Sequence, residues 1–420
     1  MADRIIQFRA NWELVAAKIS LKNLGGFLLG NLIAFALGFG TTAYLVRVLG
    51  DVGFGRFNYA QTLAMYGALV VDLGLNAYGS RSVAREPLAA NQILGNIASF
   101  QFILGILLLV ISYAIIYLSP WWIDNSDSLL IMVSMLFVLP FAMNIEWFYL
   151  GLQRMNIVSV SKIIQYGSIL LLTVLFVKNV TNIVAASLLR VVGCLLSALW
   201  LFYSLKSHVS LRVHVNFKEV IKYFSSSRWF WLTSIITQLF NGSDVIILHA
   251  FRSDREVGLY SSSFRLMGFI TLAISLINSA MFPVLSTNSK DKDIFRHLLR
   301  FYLYVSLSVA FVILVLGANF SNYIIAQLYG KEYLDSVPTF RILLLAAAVL
   351  TVNGAIAVPL LAYGKESCIT RQVAFTAVLY LGSNMVLIPR FGPNGAAWVY
   401  LGAVLFGTIW LIPTYKKEFF

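Results

Sequence analysis

Five ionisable side chains of this chain stand inside long apolar runs, and their types set the chemistry open to them. Arg190 and Arg265 carry guanidinium groups, whose planar fork gives two parallel hydrogen bonds to a phosphate or a carboxylate. Asp72, Glu146 and Asp244 carry carboxyls, which can exchange a proton or hold a cation. A sixth residue, Arg228, lies within a turn of the end of such a run. Each buried charge costs about 2.5–3.5 kcal/mol on insertion scales unless it faces a wet cavity or a partner. Other chemistry is sparse. Cys194 and Cys368 form no CxxC motif, and His208, His214, His249 and His297 lack metal-ligand spacing. There is no GxSxG, HExxH, Walker A or EF-hand loop. The sequence therefore predicts no cofactor, no metal site and no enzyme.

The elements carrying these residues are greasy. Of 420 residues, 59% are hydrophobic and 12% charged, against about 25% charged in a soluble domain. About a dozen stretches of some twenty apolar residues follow one another, each long enough to cross a hydrocarbon core about 30 Å thick. They run near 24–47, 57–80, 93–118, 129–150, 158–177, 182–204, 224–249, 258–283, 298–321, 338–362, 367–389 and 394–415. The predicted class is an all-α integral membrane protein with about twelve transmembrane helices. A net charge of +13 suggests nucleic acid in a soluble protein. Here it follows from the loops. With the N-terminus in the cytosol, cytosolic segments hold about twenty Lys and Arg and outer loops about seven, the bias that orients membrane proteins. Both termini are then cytosolic, and no nucleic-acid partner is expected. Trp121 and Trp122, in the outer loop SPWWIDNSD, stand where an aromatic belt falls. Residues 1–23 alternate apolar and charged side chains and read as an amphipathic segment on the cytosolic surface.

The chain also reads as two copies of one unit. DVGFGRFNYAQTL (51–63) lies over DREVGLYSSSFRL (254–266) at an offset of 203, so that Gly55 meets Gly258. KNVTNIVAAS (178–187) lies over PRFGPNGAAW (389–398) at an offset of 211. Six helices per copy keep the copies parallel, as in parallel-repeat transporters. The expected organisation is an N-lobe over 24–205 with helices 1–6, a basic cytosolic connector over 206–223, and a C-lobe over 224–420 with helices 7–12. Pro140 and Pro359 interrupt the fourth and tenth spans, which correspond in the two copies, and are expected to kink them.

Three stretches carry a family likeness: LVRVLGDVGFGRFNYAQTLAMYGALVVDLGLNAYGSRSVAR (45–85), LYGKEYLDSVPTFRILLL (328–345) and NMVLIPRFGPNGAAWVYLGAVL (384–405). The chain resembles the polysaccharide transporter branch of the multidrug/oligosaccharidyl-lipid/polysaccharide (MOP) exporter superfamily, and within it the Wzx-type O-antigen flippases. That resemblance implies two six-helix bundles around a central cavity in the bacterial inner membrane. It implies an activity as well: flipping undecaprenyl-diphosphate-linked oligosaccharide from the cytosolic to the outer leaflet by alternating access. Partners would be the lipid-linked oligosaccharide, membrane lipids and other O-antigen assembly proteins.

Such a substrate drags a diphosphate through hydrocarbon, at a large desolvation cost. A cationic wet cavity lowers it. Arg190, Arg265 and Arg228 are the candidate substrate ligands. Arg190 lies about eight residues, or roughly 12 Å of helix rise, into the sixth span, which is deep for snorkelling. Glu146, Asp244 and Asp72 are the candidates for coupling a proton or ion. Plainer readings stand beside these. Asp244 and Arg265 are placed to pair with each other, as are Glu146 and Lys162. Asp72 suits a polar contact between packed helices. Arg228, Arg341 and Arg371 can snorkel to the interface. The aromatic runs WFY (147–149) and RWFWL (228–232) suit either sugar stacking or interface anchoring. In the repeat alignment Arg265 falls on Thr62, Asp244 on Thr41 and Arg190 on Leu401, so the charges do not follow the duplication. The competing activity is a multidrug/cation antiporter of the same fold. This chain lacks the charged loop that a major-facilitator transporter carries after its second span, and it lacks the large outer loop that a glycan polymerase or ligase needs.

Overall fold

The computed structural model describes the backbone of residues 2–118, 125–205, 217–288 and 291–419. Side chains are described for these except 2–25, 28, 125–126, 217–218, 220–222, 224–230, 233, 237, 241 and 292. The amphipathic pattern of 1–23, the belt residues Trp121 and Trp122 and the connector residues 206–216 therefore lie outside the described set.

Every regular element among the described residues is helical. In chain order they are α1 (Ala2–Asp72), α2 (Leu75–Arg85), α3 (Ala90–Leu118), α4 (Asn125–Met135), α5 (Val138–Ala142), α6 (Glu146–Gly151) and α7 (Met155–Phe176), followed by α8 (Ile183–Leu205), α9 (Phe217–Phe251), α10 (Asp254–Thr287), α11 (Lys292–Leu328), α12 (Val337–Ala362) and α13 (Glu366–Phe419). Short 3-10 turns precede α3, α8 and α12. Nine helical stretches among the described residues are long and apolar enough to cross a membrane. Two of these are double. The α1 rod changes direction at Gly50 (φ 67°) and α13 at Gly392 (φ 55°), backbone angles that a side chain would strain. Counting both arms of each gives eleven apolar segments among the described residues, and α9 (35 residues) adds a shorter apolar stretch, Gly242–Phe251. This is an all-α membrane protein.

Local signals explain where helices start and stop. Ser253 and Glu256 form a reciprocal capping box at the head of α10. The Asp291 side chain accepts from the backbone N–H groups of Asp293 and Ile294 at the head of α11. The fourth span, expected as one helix over 129–150, is instead three pieces. Pro140 has no N–H to offer Leu136, and the chain ahead of it tightens into i→i−3 bonds, Leu136 to Val133 and Phe137 to Ser134. A second break follows at Asn144, whose Oδ1 accepts from the Glu146 N–H at 2.9 Å. Pro359, by contrast, sits in the last turn of α12 and leaves that helix whole. The second span is broken too. Leu73 and Gly74 adopt positive φ, 47° and 73°.

Contacts divide the chain into two compact units. The first comprises 1–48 and 63–235, the second 49–62 and 236–420. The core of the first gathers Leu75, Val83, Leu94, Ile97 and Leu201 around Trp147, Phe148 and Tyr149. The WFY run is thus packed into the core of its unit and is not an interface anchor. Its side chains are at most 4% exposed.

In the second unit the stretches paired by the offset of 203 touch each other. A Cβ on Gly55 would overlap the carbonyl of Asp254, and one on Gly258 would overlap the carbonyl of Asp51. Asn58 Nδ2 donates to Ser261 Oγ at 2.8 Å, again 203 residues on. A reciprocal contact of this kind is what a local two-fold axis through the crossing requires. Only glycine permits two backbones to meet so closely. This crossing is why 49–62 clusters with the second unit. Arg255 ties its edge by donating to Asp51 and Asp335, both at 2.7 Å.

Candidate functional site

In the first unit three chain breaks converge: Leu73–Gly74, Met143–Ile145 and Leu152–Arg154. Interrupted helices leave backbone polar groups that hydrocarbon cannot satisfy, so they are tolerated where they meet protein or line a wet cavity. Here they do both. Asp72 accepts from the N–H groups of Gly74 and Asn76, both at 3.2 Å, bridging the first break. Asn144 closes the second. Helices α2 and α6 then pack closely, because a Cβ on Gly79 would strike the Trp147 ring at 2.5 Å. Beside them opens a cavity of 770 Å³ whose polar lining is Asn76, Ser80, Arg81, Asn144, Glu146 and Gln153. Glu146 faces this cavity and accepts from Ser161 Oγ at 3.3 Å. Ser161 in turn meets Ser197 Oγ at 2.8 Å.

Glu146 and Lys162 make no direct ion pair, although the Lys162 charge acts on the Glu146 carboxyl. Lys162 Nζ donates instead to Asn31 Oδ1 at 2.8 Å and lies 5.6 Å from the Phe27 ring centroid. Arg190 is the eighth residue of α8. Its guanidinium lies 5.1 Å from the Phe137 ring centroid, with Nη2 3.8 Å from Met65 Sδ. A ring face and a thioether hold it in the cluster of Ala64, Ala68, Phe137 and Cys194.

The second unit holds its acid differently. Asp244 on α9 is 1% exposed. Its Oδ2 accepts from the phenols of Tyr260 on α10 and Tyr380 on α13, the latter at 3.1 Å, and its Oδ1 from the Val245 N–H at 2.8 Å. Asp244 and Arg265 therefore do not pair. Arg265 is exposed and sends Nη2 to Asn58 Oδ1 at 3.4 Å. One turn beyond Tyr380, Asn384 is fully buried, with both amide atoms outside hydrogen-bonding geometry among the described residues. The Arg228 side chain lies outside the described set. Arg341 is exposed and reaches the Ala318 carbonyl at 3.4 Å.

The candidate residues thus fall in separate places. Glu146 belongs to the open cavity, with Asp72 supporting its wall. Arg190 stands in α8, and Asp244 in a phenol-lined core. Arg81 and Asn76 were not singled out from sequence, because they fall at the end of the second span, where polar residues are ordinary, and Asn144 carried the same signal as Asn384. Asn384 carried a usable signal, an amide inside an apolar run.

The fold defines a class, polytopic all-α membrane proteins. An inward-facing multidrug resistance MATE family transporter of the MOP superfamily superposes with a TM-score of 0.72 over 92% of this chain and 95% of its own, at 15% identity. The lipid II flippase MurJ, in an inward closed conformation, superposes with a TM-score of 0.68 over 93% and 87%, at 16% identity. The chain belongs to the polysaccharide biosynthesis protein family, whose model matches residues 20–289. A protein assigned as an O-antigen transporter in Shigella dysenteriae is 22% identical over 373 residues, 88% of this chain and 92% of that one.

Proposed function

We propose that this protein flips undecaprenyl-diphosphate-linked oligosaccharide, an O-antigen type repeat unit, from the cytosolic to the outer leaflet of a bacterial inner membrane by alternating access. The observation that carries the proposal is Arg190. A guanidinium held some two turns inside an apolar helix is costly, and such groups mark substrate pathways. A phosphate that must cross hydrocarbon is a ligand that offsets the cost. Arg265 supplies a second cation, reached from the exposed side of α10. Asp244 and Glu146 are the coupling candidates, since nothing in the sequence binds a nucleotide and the energy must come from a gradient or from removal of product. Family membership and the assigned activity of the Shigella relative support the same reading.

The test is deletion in the source organism, followed by measurement of lipid-linked repeat units in each leaflet. Accumulation in the inner leaflet with loss of surface glycan is expected. Normal surface glycan, with no second flippase present, would remove the assignment. Resistance to cationic dyes on expression would favour the antiporter instead.

A further inference from the structure

The cavity of the first unit has a lining that suits one ligand class. Its 770 Å³ falls inside the range of about 300–1,000 Å³ typical of small-molecule sites. Its charged groups are one cation, Arg81, and one anion, Glu146. A diphosphate with two or more negative charges would meet one guanidinium and be repelled by the carboxylate. A lipophilic cation would meet the carboxylate and be repelled by the guanidinium. The remaining polar groups are the amides of Asn76, Asn144 and Gln153 and the hydroxyl of Ser80.

Much of this polar capacity is unspent. Arg81, Ser80 and Gln153 make no side-chain hydrogen bond or ion pair to other described residues. The Asn76 Oδ1 accepts from Gln101 at 3.1 Å, and the Asn144 Oδ1 is spent on the Glu146 N–H. Trp147 and Phe141 line the same cavity with ring carbons. Neutral donors and acceptors in excess of charge, with apolar ring carbons between them, match a molecule whose hydroxyls both donate and accept and whose C–H faces are apolar. That molecule is a carbohydrate.

We propose that this cavity is a carbohydrate subsite that takes the uncharged sugar residues of the transported glycan, apart from the arginines that meet its diphosphate. The proposal rests on the flippase reading above. It assigns Arg81, Asn76, Asn144 and Gln153 as the groups that hydrogen-bond ring hydroxyls. The converging helix breaks explain why it lies where it does: the chain leaves helical geometry where its polar groups can serve a wet site.

The experiment uses the full-length protein in nanodiscs, with Cys194→Ala and Cys368→Ser removing the native thiols. Ala77→Cys puts a thiol on the cavity wall, Ala84→Cys provides a second in case the first misfolds, and Lys331→Cys serves as an exposed control in the other unit. Maleimide alkylation is followed with two probes. One is the free oligosaccharide released by mild acid from the source organism's lipid-linked pool, and the other is undecaprenyl diphosphate bearing no sugar. The free oligosaccharide should slow alkylation in the cavity about tenfold, the effect of ligand at roughly ten times its Kd, and leave Lys331→Cys unaffected. Adding Arg81→Gln with Asn144→Leu should abolish that protection. Protection by undecaprenyl diphosphate and not by the oligosaccharide would overturn the sugar assignment while leaving the flippase intact. So would a cavity thiol that neither probe protects from maleimide, in a cysteine variant that still restores surface glycan to a deletion strain. Failure of the flippase reading itself shows separately, as normal glycan in that deletion strain.

Discussion

Glu146 and Asp244 are both carboxyls in apolar spans, and the backbone around them differs. Glu146 begins a six-residue helix between two breaks and faces an open cavity. Asp244 sits inside the 35 uninterrupted residues of α9, 1% exposed, under two phenols. Where helices are cut, polar backbone and amide side chains gather and a wet cavity forms. Where they run through, an acid is enclosed and must be satisfied entirely by its neighbours. The two acids therefore suit different tasks. Glu146 lines an open cavity, and Asp244 ties together the three helices α9, α10 and α13 that converge on it.

Replacing each acid by alanine separates them most strongly. Asp244→Ala strands the Tyr260 and Tyr380 hydroxyls, at about 1–3 kcal/mol for each buried donor left without an acceptor. Glu146→Ala leaves its neighbours beside the cavity, where water can replace the carboxylate, and should cost less than about 1 kcal/mol. Thermal unfolding of both variants in one detergent measures this, and equal losses would break the comparison. The next effect is on transport. Asp244→Asn keeps an acceptor for the phenols but sets its amide NH2 against the Val245 N–H, so it should lose about 1–3 kcal/mol, less than the alanine variant. If Asp244 couples transport, the same variant should lose at least about tenfold in rate, equivalent to roughly 1.4 kcal/mol of barrier. Retained transport would leave Asp244 with structural work alone.

Much of this organisation was legible in the sequence. Spans of twenty apolar residues are a direct consequence of bilayer thickness, and an offset of 203 sets Gly55 on Gly258, the pair at which the two backbones meet. What could not be read is where polar side chains meet. Asp244 and Arg265 match in depth along their helices. Depth says nothing of rotation, and the aspartate turns towards Tyr260 and Tyr380 while the arginine turns outward to Asn58. The cavity was hidden for a related reason. Its residues come from α2, α5, α6, the turns that flank α6 and the first residue of α7, and the break at Gly74 and the Pro140 kink, with Asn144 behind it, draw them together. The WFY run shows the opposite error, since aromatic clusters near a span end read as interfacial and these three are the core of their unit.

Smaller effects sharpen the contrast further. Arg190→Ala should slow transport more than Arg341→Ala at equal membrane abundance, by about tenfold or roughly 1.4 kcal/mol. Only Arg190 is held at depth, while Arg341 is exposed and bonded to a carbonyl. Equal rates would take Arg190 out of the substrate path. Arg255→Ala should matter least. Its side chain is 48% exposed, and an exposed ion pair contributes about 0–1 kcal/mol, so a larger drop in unfolding temperature would mean that the glycine crossing depends on it.

The most direct measurement reconstitutes the purified full-length protein into liposomes that carry lipid-linked oligosaccharide extracted from the source organism. The fraction of glycan accessible to an impermeant oxidant is followed with time. The account predicts that the native chain exposes the inner-leaflet pool and that Arg190→Ala, at the same protein density, does so far more slowly. Glycan that remains locked in its original leaflet with the native chain, or that crosses equally fast with Arg190→Ala, would contradict it.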